Sequence, residues 1–157
     1  MERWREDGGD LFGKPLNAPT RWVTRERPKI DRIACLWLVK RFIDADAEFL
    51  YVESAKVKDV AQEKSATPFD IADVELSHDG EMCSFDAFMR DFRLRDPALE
   101  KLALIVRAAD TGRLDLAPQA AGLLAISQGL SQNFADDHEM LEHGMVIYDA
   151  LYAWCRK

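Results

Sequence analysis

The chain has 157 residues, with 21 Lys and Arg against 28 Asp and Glu, for a net charge of −7. That length suits one domain, and a hydrophobic content of 48% is enough to bury a core without staples. The acidic balance argues against a broad nucleic-acid-binding face, which needs clustered Lys and Arg, and the longest apolar run, Ile33 to Val39, is too short to span a bilayer.

In chain order, residues 1–19 read as a loose tail with three glycines, two prolines and alternating charges, leaving residues 20–157 as the domain. The tail has no apolar signal region, so a cytoplasmic location is expected. Trp22-Val23-Thr24 reads as a short strand. Pro28 keeps Arg27 out of a helix, and a helix follows over residues 30–43, apolar nearly all round and therefore central. Glu48–Val52 reads as a strand, residues 54–64 as a surface helix, and residues 70–75 as a further strand. Asp79-Gly80 marks a hairpin-type turn, and Ser84 is placed to cap the helix that follows. Asp96-Pro97 opens a helix that stops near Gly112. Pro118 starts another that breaks near Gly129, and the last helix runs from about Ala135 to the end. Strands early and helices late predict an α+β fold, a small sheet or hairpin packed on a helical C-terminal half. The apolar face of the last helix suggests a homodimer.

The three cysteines, Cys35, Cys83 and Cys155, are odd in number and form no C-x-x-C pair. Neither a disulfide framework nor a four-cysteine zinc site is expected. Cys35 reads as a core residue, while Cys83 stands close to His78 and Asp86.

The segment RWVTRERPKIDR (residues 21–32) carries five cations and two anions, +3 in an acidic protein. Arg25 and Arg32 flank the strand-to-helix turn, and Arg32 falls near a helix N-terminus. There its charge opposes the helix dipole, so it calls for an anionic partner, either a ligand or a carboxylate such as Asp31. Guanidinium forks suit tetrahedral oxyanions. A solvated basic loop paired with Glu26 and Asp31 explains the same charges. In VELSHDG, Glu75, His78 and the later Asp86 are residue types that ligate first-row metals or move protons. On a strand, Glu75 and His78 face opposite sides unless the chain bends at Ser77. Arg107 and Asp110 lie one helical turn apart, with Asp110 at a helix C-terminus where a carboxylate answers a cation. Asp136 or Asp137 caps the last helix, and His143 faces solvent.

The stretches RWVTRERPKIDRIACLWLVKRFIDADAEFLYV, PFDIADVELSHDGEMCSFDAF, LIVRAADTGRLDLAPQAAGLLAISQGLS and DDHEMLEHGMVIYDALYAWCR resemble the chromate resistance family, the C-terminal domain of ChrB-type proteins, over roughly residues 20–157. The resemblance implies a cytoplasmic domain linked to chromate resistance and encoded beside a chromate efflux pump. Longer relatives carry an N-terminal DNA-binding region or a rhodanese-like domain, and no direct DNA binding is expected of this chain. The expected ligand is a small inorganic oxyanion, chromate or a sulfate-like ion, held by Arg25, Arg32, His78 and Arg107 for sensing or detoxification. The alternative is a metal-dependent enzyme, hydrolytic or redox, with Asp31, Glu75, His78, Asp86 and Asp110 as ligands to Zn, Mn or Fe. A third reading is an interaction domain that docks a protein through exposed Trp4 and Trp22.

Overall fold

The computed structural model describes residues 20–157. The expected tail and Trp4 lie outside the described residues. The strands are β1 (Arg21–Arg25), β2 (Glu48–Val52) and β3 (Thr67–Pro68), and the helices are α1 (Ile30–Leu38), α2 (Val57–Lys64), α3 (Ser84–Asp91), α4 (Pro97–Asp110), α5 (Ala120–Asn133) and α6 (Asp137–Cys155). The fold is α+β, with the sheet confined to the first half of the chain.

The sheet has strand order β2-β1-β3, and both pairings are parallel. Parallel neighbours need crossover connections, which α1 and α2 supply. As the central strand, β1 buries Trp22, Val23 and Thr24, the continuous burial expected of a parallel strand covered on both faces. Trp22 packs its ring on Phe88 and Phe92 at 5.5 and 6.0 Å. It is fully buried and so is no exposed docking aromatic. Val23 joins a separate cluster with Val57, Ala61, Ala66 and Ile71. The first crossover leaves β1 for one neighbour and the second returns to its other side. The carboxyl end of β1 is thus a topological switch point, where a crevice opens between diverging connections.

Residues 70–75 do not form the expected strand. The third strand is the pair Thr67–Pro68, which meets Trp22 and Val23. Pro68 has no N–H to extend the ladder. Beyond it Asp70 and Asp73 adopt left-handed backbone (φ 54° and 61°), and the Asp70 amide closes the turn on the Leu76 carbonyl at 2.8 Å. The turn expected at Asp79-Gly80 is a single bridge, in which Asp79 and Met82 exchange two backbone hydrogen bonds of 3.0 Å.

α1 is the core helix and packs against α3, α4, α5 and α6. Of its nine residues only Arg32 is not buried. A π-helical turn, Val39–Ile43, continues it. Its first residue is fixed from two sides: the Ile30 amide donates to Ser127 Oγ on α5 (3.0 Å), and Tyr148 Oη on α6 donates to the Ile30 carbonyl (2.8 Å). α5 passes through Gly129 without breaking. Its buried residues continue to Ser127, and Arg27 takes its terminal carbonyls at Ser131 (2.6 Å) and Phe134 (2.9 Å). These contacts outweigh the roughly 1 kcal/mol cost of one helical glycine.

Gly144 of α6 has a different reason to be glycine. A Cβ there would lie 2.9 Å from Ile33 Cγ2 on α1, with Ile33 itself only 1% exposed. Overpacking costs about 1–3 kcal/mol, more than the roughly 1 kcal/mol gained in helix propensity. Gly144→Ala is therefore expected to lower the thermal midpoint. Gly129→Ala, where nothing lies within 4 Å of the added carbon, is expected to raise it. Parallel melts of the two variants check the contrast, and equal shifts would refute it.

Candidate functional site

The site forms where the end of β1, the start of α1, the turn after β3 and the start of α3 meet. Asp31, on the first turn of α1, is 2% exposed. Its carboxylate accepts the amides of Ser84 and Phe85, the first two residues of α3, at 2.9 Å each. It therefore supplies from a distance the cap that the sequence assigns to Ser84. The residue flanking the helix is Cys83, whose amide donates to Asp86 Oδ2 at 3.0 Å. Ser84 is inside the helix, and its hydroxyl donates to Asp70 Oδ1 at 2.6 Å.

Asp70, two residues past β3, is the meeting point of the cations. Arg25 Nη2 lies 3.2 Å and Arg32 Nε 3.1 Å from its Oδ2. This carboxylate answers the Arg32 charge at the N-terminus of α1, so Asp31 is not the partner of Arg32. Arg32 also donates to the Arg25 and Glu26 carbonyls at 3.1 and 3.2 Å. Burial first, and the neighbouring Arg25 charge second, lower its pKa.

His78 completes the group from the turn before Asp79. Its Nε2 lies 3.3 Å from each of three carboxylate oxygens: Asp31 Oδ2, Asp70 Oδ1 and Asp110 Oδ2. One imidazole nitrogen carries at most one N–H, so three such neighbours exceed what it can serve. Ligand atoms around a transition metal at bond lengths of about 2.0–2.2 Å stand about 3.0–3.5 Å apart, the same range. Asp31, His78 and Asp110 each bring one ligand atom to within 4.8 Å of the others.

The surroundings set the charges. His78 is raised to about 9, first by its hydrogen bond to Asp31 and further by the charges of Asp31, Asp70 and Asp110, against the opposing pull of burial. Asp110 is raised to about 6, first by burial and then by the Asp31 charge. Burial, and after it the Asp31 charge, pushes the Cys35 and Cys83 thiols far up.

The structure thus brings Arg25, Arg32, His78, Asp31 and Asp110 together. The other sequence candidates stand apart. Glu75 is exposed in the turn after β3. Asp86 takes the Cys83 amide and faces Arg107, whose Nε lies 3.7 Å away. Arg107 pairs with Asp86 rather than with Asp110, and its Nη1 reaches Met82 Sδ at 2.9 Å. Arg27 serves the α5–α6 junction, with Nη1 3.0 Å from Asp137 Oδ1. His143 is exposed as expected, stacked on the Phe134 ring. Sequence reasoning missed Asp70. Its one signal is position, just after a short strand that ends in proline.

A model of the ChrB C-terminal domain family matches residues 22–155. The chain is also similar to Protein ChrB of Cupriavidus metallidurans strain CH34, at 33% identity over 155 residues. That match covers 92% of this chain and 46% of the relative, so the chain spans about half the length of the curated protein it matches. No solved structure matches.

Two predictions follow from the geometry. Because the folded-state value of His78 lies above the ordinary 6.5, the imidazolium stabilises the fold. That contribution is complete below about pH 6.5 and is lost as pH rises through about 9. Thermal melts of metal-free protein across this window should show a steeper fall for the native sequence than for His78→Gln; parallel curves would overturn the assignment. Asp31→Asn removes the charge that caps α3 and is expected to cost about 2 kcal/mol or more by denaturant titration.

Proposed function

This chain belongs to the ChrB C-terminal domain family, the chromate resistance family that its motifs resemble, and from that premise we propose that it is a metal-dependent oxyanion-binding domain. The supporting observation is the placement of His78 Nε2 at 3.3 Å from three carboxylates, beside two guanidinium groups that share Asp70.

Charge decides between an anion alone and an anion with a metal. Arg25, Arg32 and the His78 imidazolium face Asp31, Asp70 and Asp110, so without a metal the cluster carries no net charge. A dianion gains little from such a site. A divalent ion held by His78, Asp31 and Asp110 would displace the imidazole proton and leave the cluster with one net positive charge. Mixed carboxylate and imidazole ligation suits Zn, Mn or Fe. The buried hydrogen bonds on Asp31 are the supporting shell that fixes a ligand's orientation. Bound there, the metal supplies a positive centre, and the guanidinium groups supply directional donors for a tetrahedral dianion such as chromate. In this reading His78 holds the metal rather than the anion, and Arg107 takes no part. The reading places the domain in the cytoplasm, where it senses or sequesters the anion.

A second reading, catalysis at the same cluster, draws on Asp110. A carboxyl held up to about 6 is poised for general acid–base work near neutrality. In that reading Asp110 trades protons and does not hold an ion.

Metal content is the test. Purified without a tag, the native chain is expected to carry a transition metal by elemental analysis and to be stabilised by added Mn, Fe or Zn. His78→Ala should weaken that binding by roughly 100-fold or more. With metal present, chromate titrated calorimetrically should bind the native chain, and Arg32→Gln should lose that binding while its circular dichroism is unchanged. Metal-free protein that gains no stability from any of the three ions sinks the reading.

A further inference from the structure

The donors around Asp70 come from four places in the fold. Arg25 closes β1, Arg32 lies on α1, Ser84 begins α3, and His78 stands on the turn between β3 and α3. Their contacts to the one carboxylate are 3.2, 3.1, 2.6 and 3.3 Å. This is the donor set of an anion seat, charged on one side and neutral on the other, and a side chain of the protein fills it. The fit is incomplete. Arg25 Nε is buried and has no hydrogen-bond partner, so part of its fork is unused. A carboxylate has two oxygens, whereas a tetrahedral oxyanion has four.

We infer that Asp70 is the specificity-determining residue of this site, an internal anion occupying the seat that an incoming oxyanion takes. The inference rests on the oxyanion-binding reading above. Exchange is an ion swap: the Asp70 carboxylate leaves its guanidinium and hydroxyl donors for solvent, and the oxyanion takes them over beside the metal that His78 holds. A single negative charge entering the seat gains no charge advantage over the one it displaces. A dianion brings one more charge and two more acceptor oxygens, so the seat favours dianions of the chromate and sulfate type over monoanions. The backbone on either side stays packed, because Ile71 and Leu76 are buried at 8% and 7% exposure. The swap therefore moves a side chain and leaves the turn in place.

The test is calorimetric titration of sodium chromate, with sodium nitrate as the monoanion, into the native chain and into Asp70→Asn, both loaded with Mn. Asparagine keeps the shape and still accepts from Ser84, but it carries no charge. Asp70→Asn is expected to bind chromate about tenfold tighter and to bind nitrate measurably where the native chain does not. Asp70→Gly, which removes the carboxylate altogether and suits the left-handed backbone at this position (φ 54°), is expected to tighten chromate binding in the same direction. It serves as the second variant should Asp70→Asn fail to fold. A native chain that binds chromate, with neither variant binding tighter, overturns the role of Asp70 and leaves the oxyanion site standing. Binding by the variants alone supports the role of Asp70 and counts against oxyanion binding by the unaltered domain. Absence of binding in all three chains sinks both.

Discussion

The arrangement depends on one buried carboxylate. Asp31 sits at the start of the core helix with 2% of its surface exposed, and it ends in the amides that open α3. Removing such a charge from water costs several kcal/mol unless hydrogen bonds and opposite charge offset it. Two backbone N–H groups and the His78 imidazole do so here. The carboxylate thereby locks α3 to α1 and places a fixed negative charge beside the imidazole. Because Ser127 and Tyr148 hold the first residue of α1, the geometry of the site derives from the packed core. Groups held this way stay in place without reorganising when a ligand arrives.

The cationic segment before α1 shows how one sequence signal can split into several roles. Arg21 pairs at the surface with Glu48. Arg25 and Arg32 converge on Asp70. Arg27 adopts left-handed backbone, φ 56°, and spends its guanidinium on the end of α5 and on Asp137. Charge counting places all of these in one basic run. Only the path of the backbone decides which cations share a partner.

Much of the fold was legible because its signals are local. The apolar run of α1, the Asp96-Pro97 start of α4 and the acidic cap of α6 depend on neighbours in sequence, and each lies where the residues place it. The parallel pairing was not legible, since β3 meets β1 some 45 residues away, as in the contact of Thr24 Oγ1 with the Phe69 carbonyl. The importance of Asp70 follows from that pairing, and so it too was hidden. The convergence of Arg25, Arg32 and His78 could be anticipated because each residue type sought an opposite charge. The sequence did not reveal that they would share a carboxylate. The pairing of Arg107 with Asp86 was missed for a similar reason: one helical turn suggested Asp110, and the packing of α3 on α4 supplied another partner.

The sealed sulfurs next to this site have a chemical consequence. A thiol transfers electrons readily only as its anion and only when reagents can reach it. Cys35 and Cys83 are buried, and their surroundings hold them in the protonated form. Chromate, the anion of the proposed reading, is a strong oxidant, and neither of these sulfurs offers it a ready thiolate. On the proposed oxyanion-binding reading, neither of these two sulfurs would be spent as a sacrificial reductant when the guest is taken up.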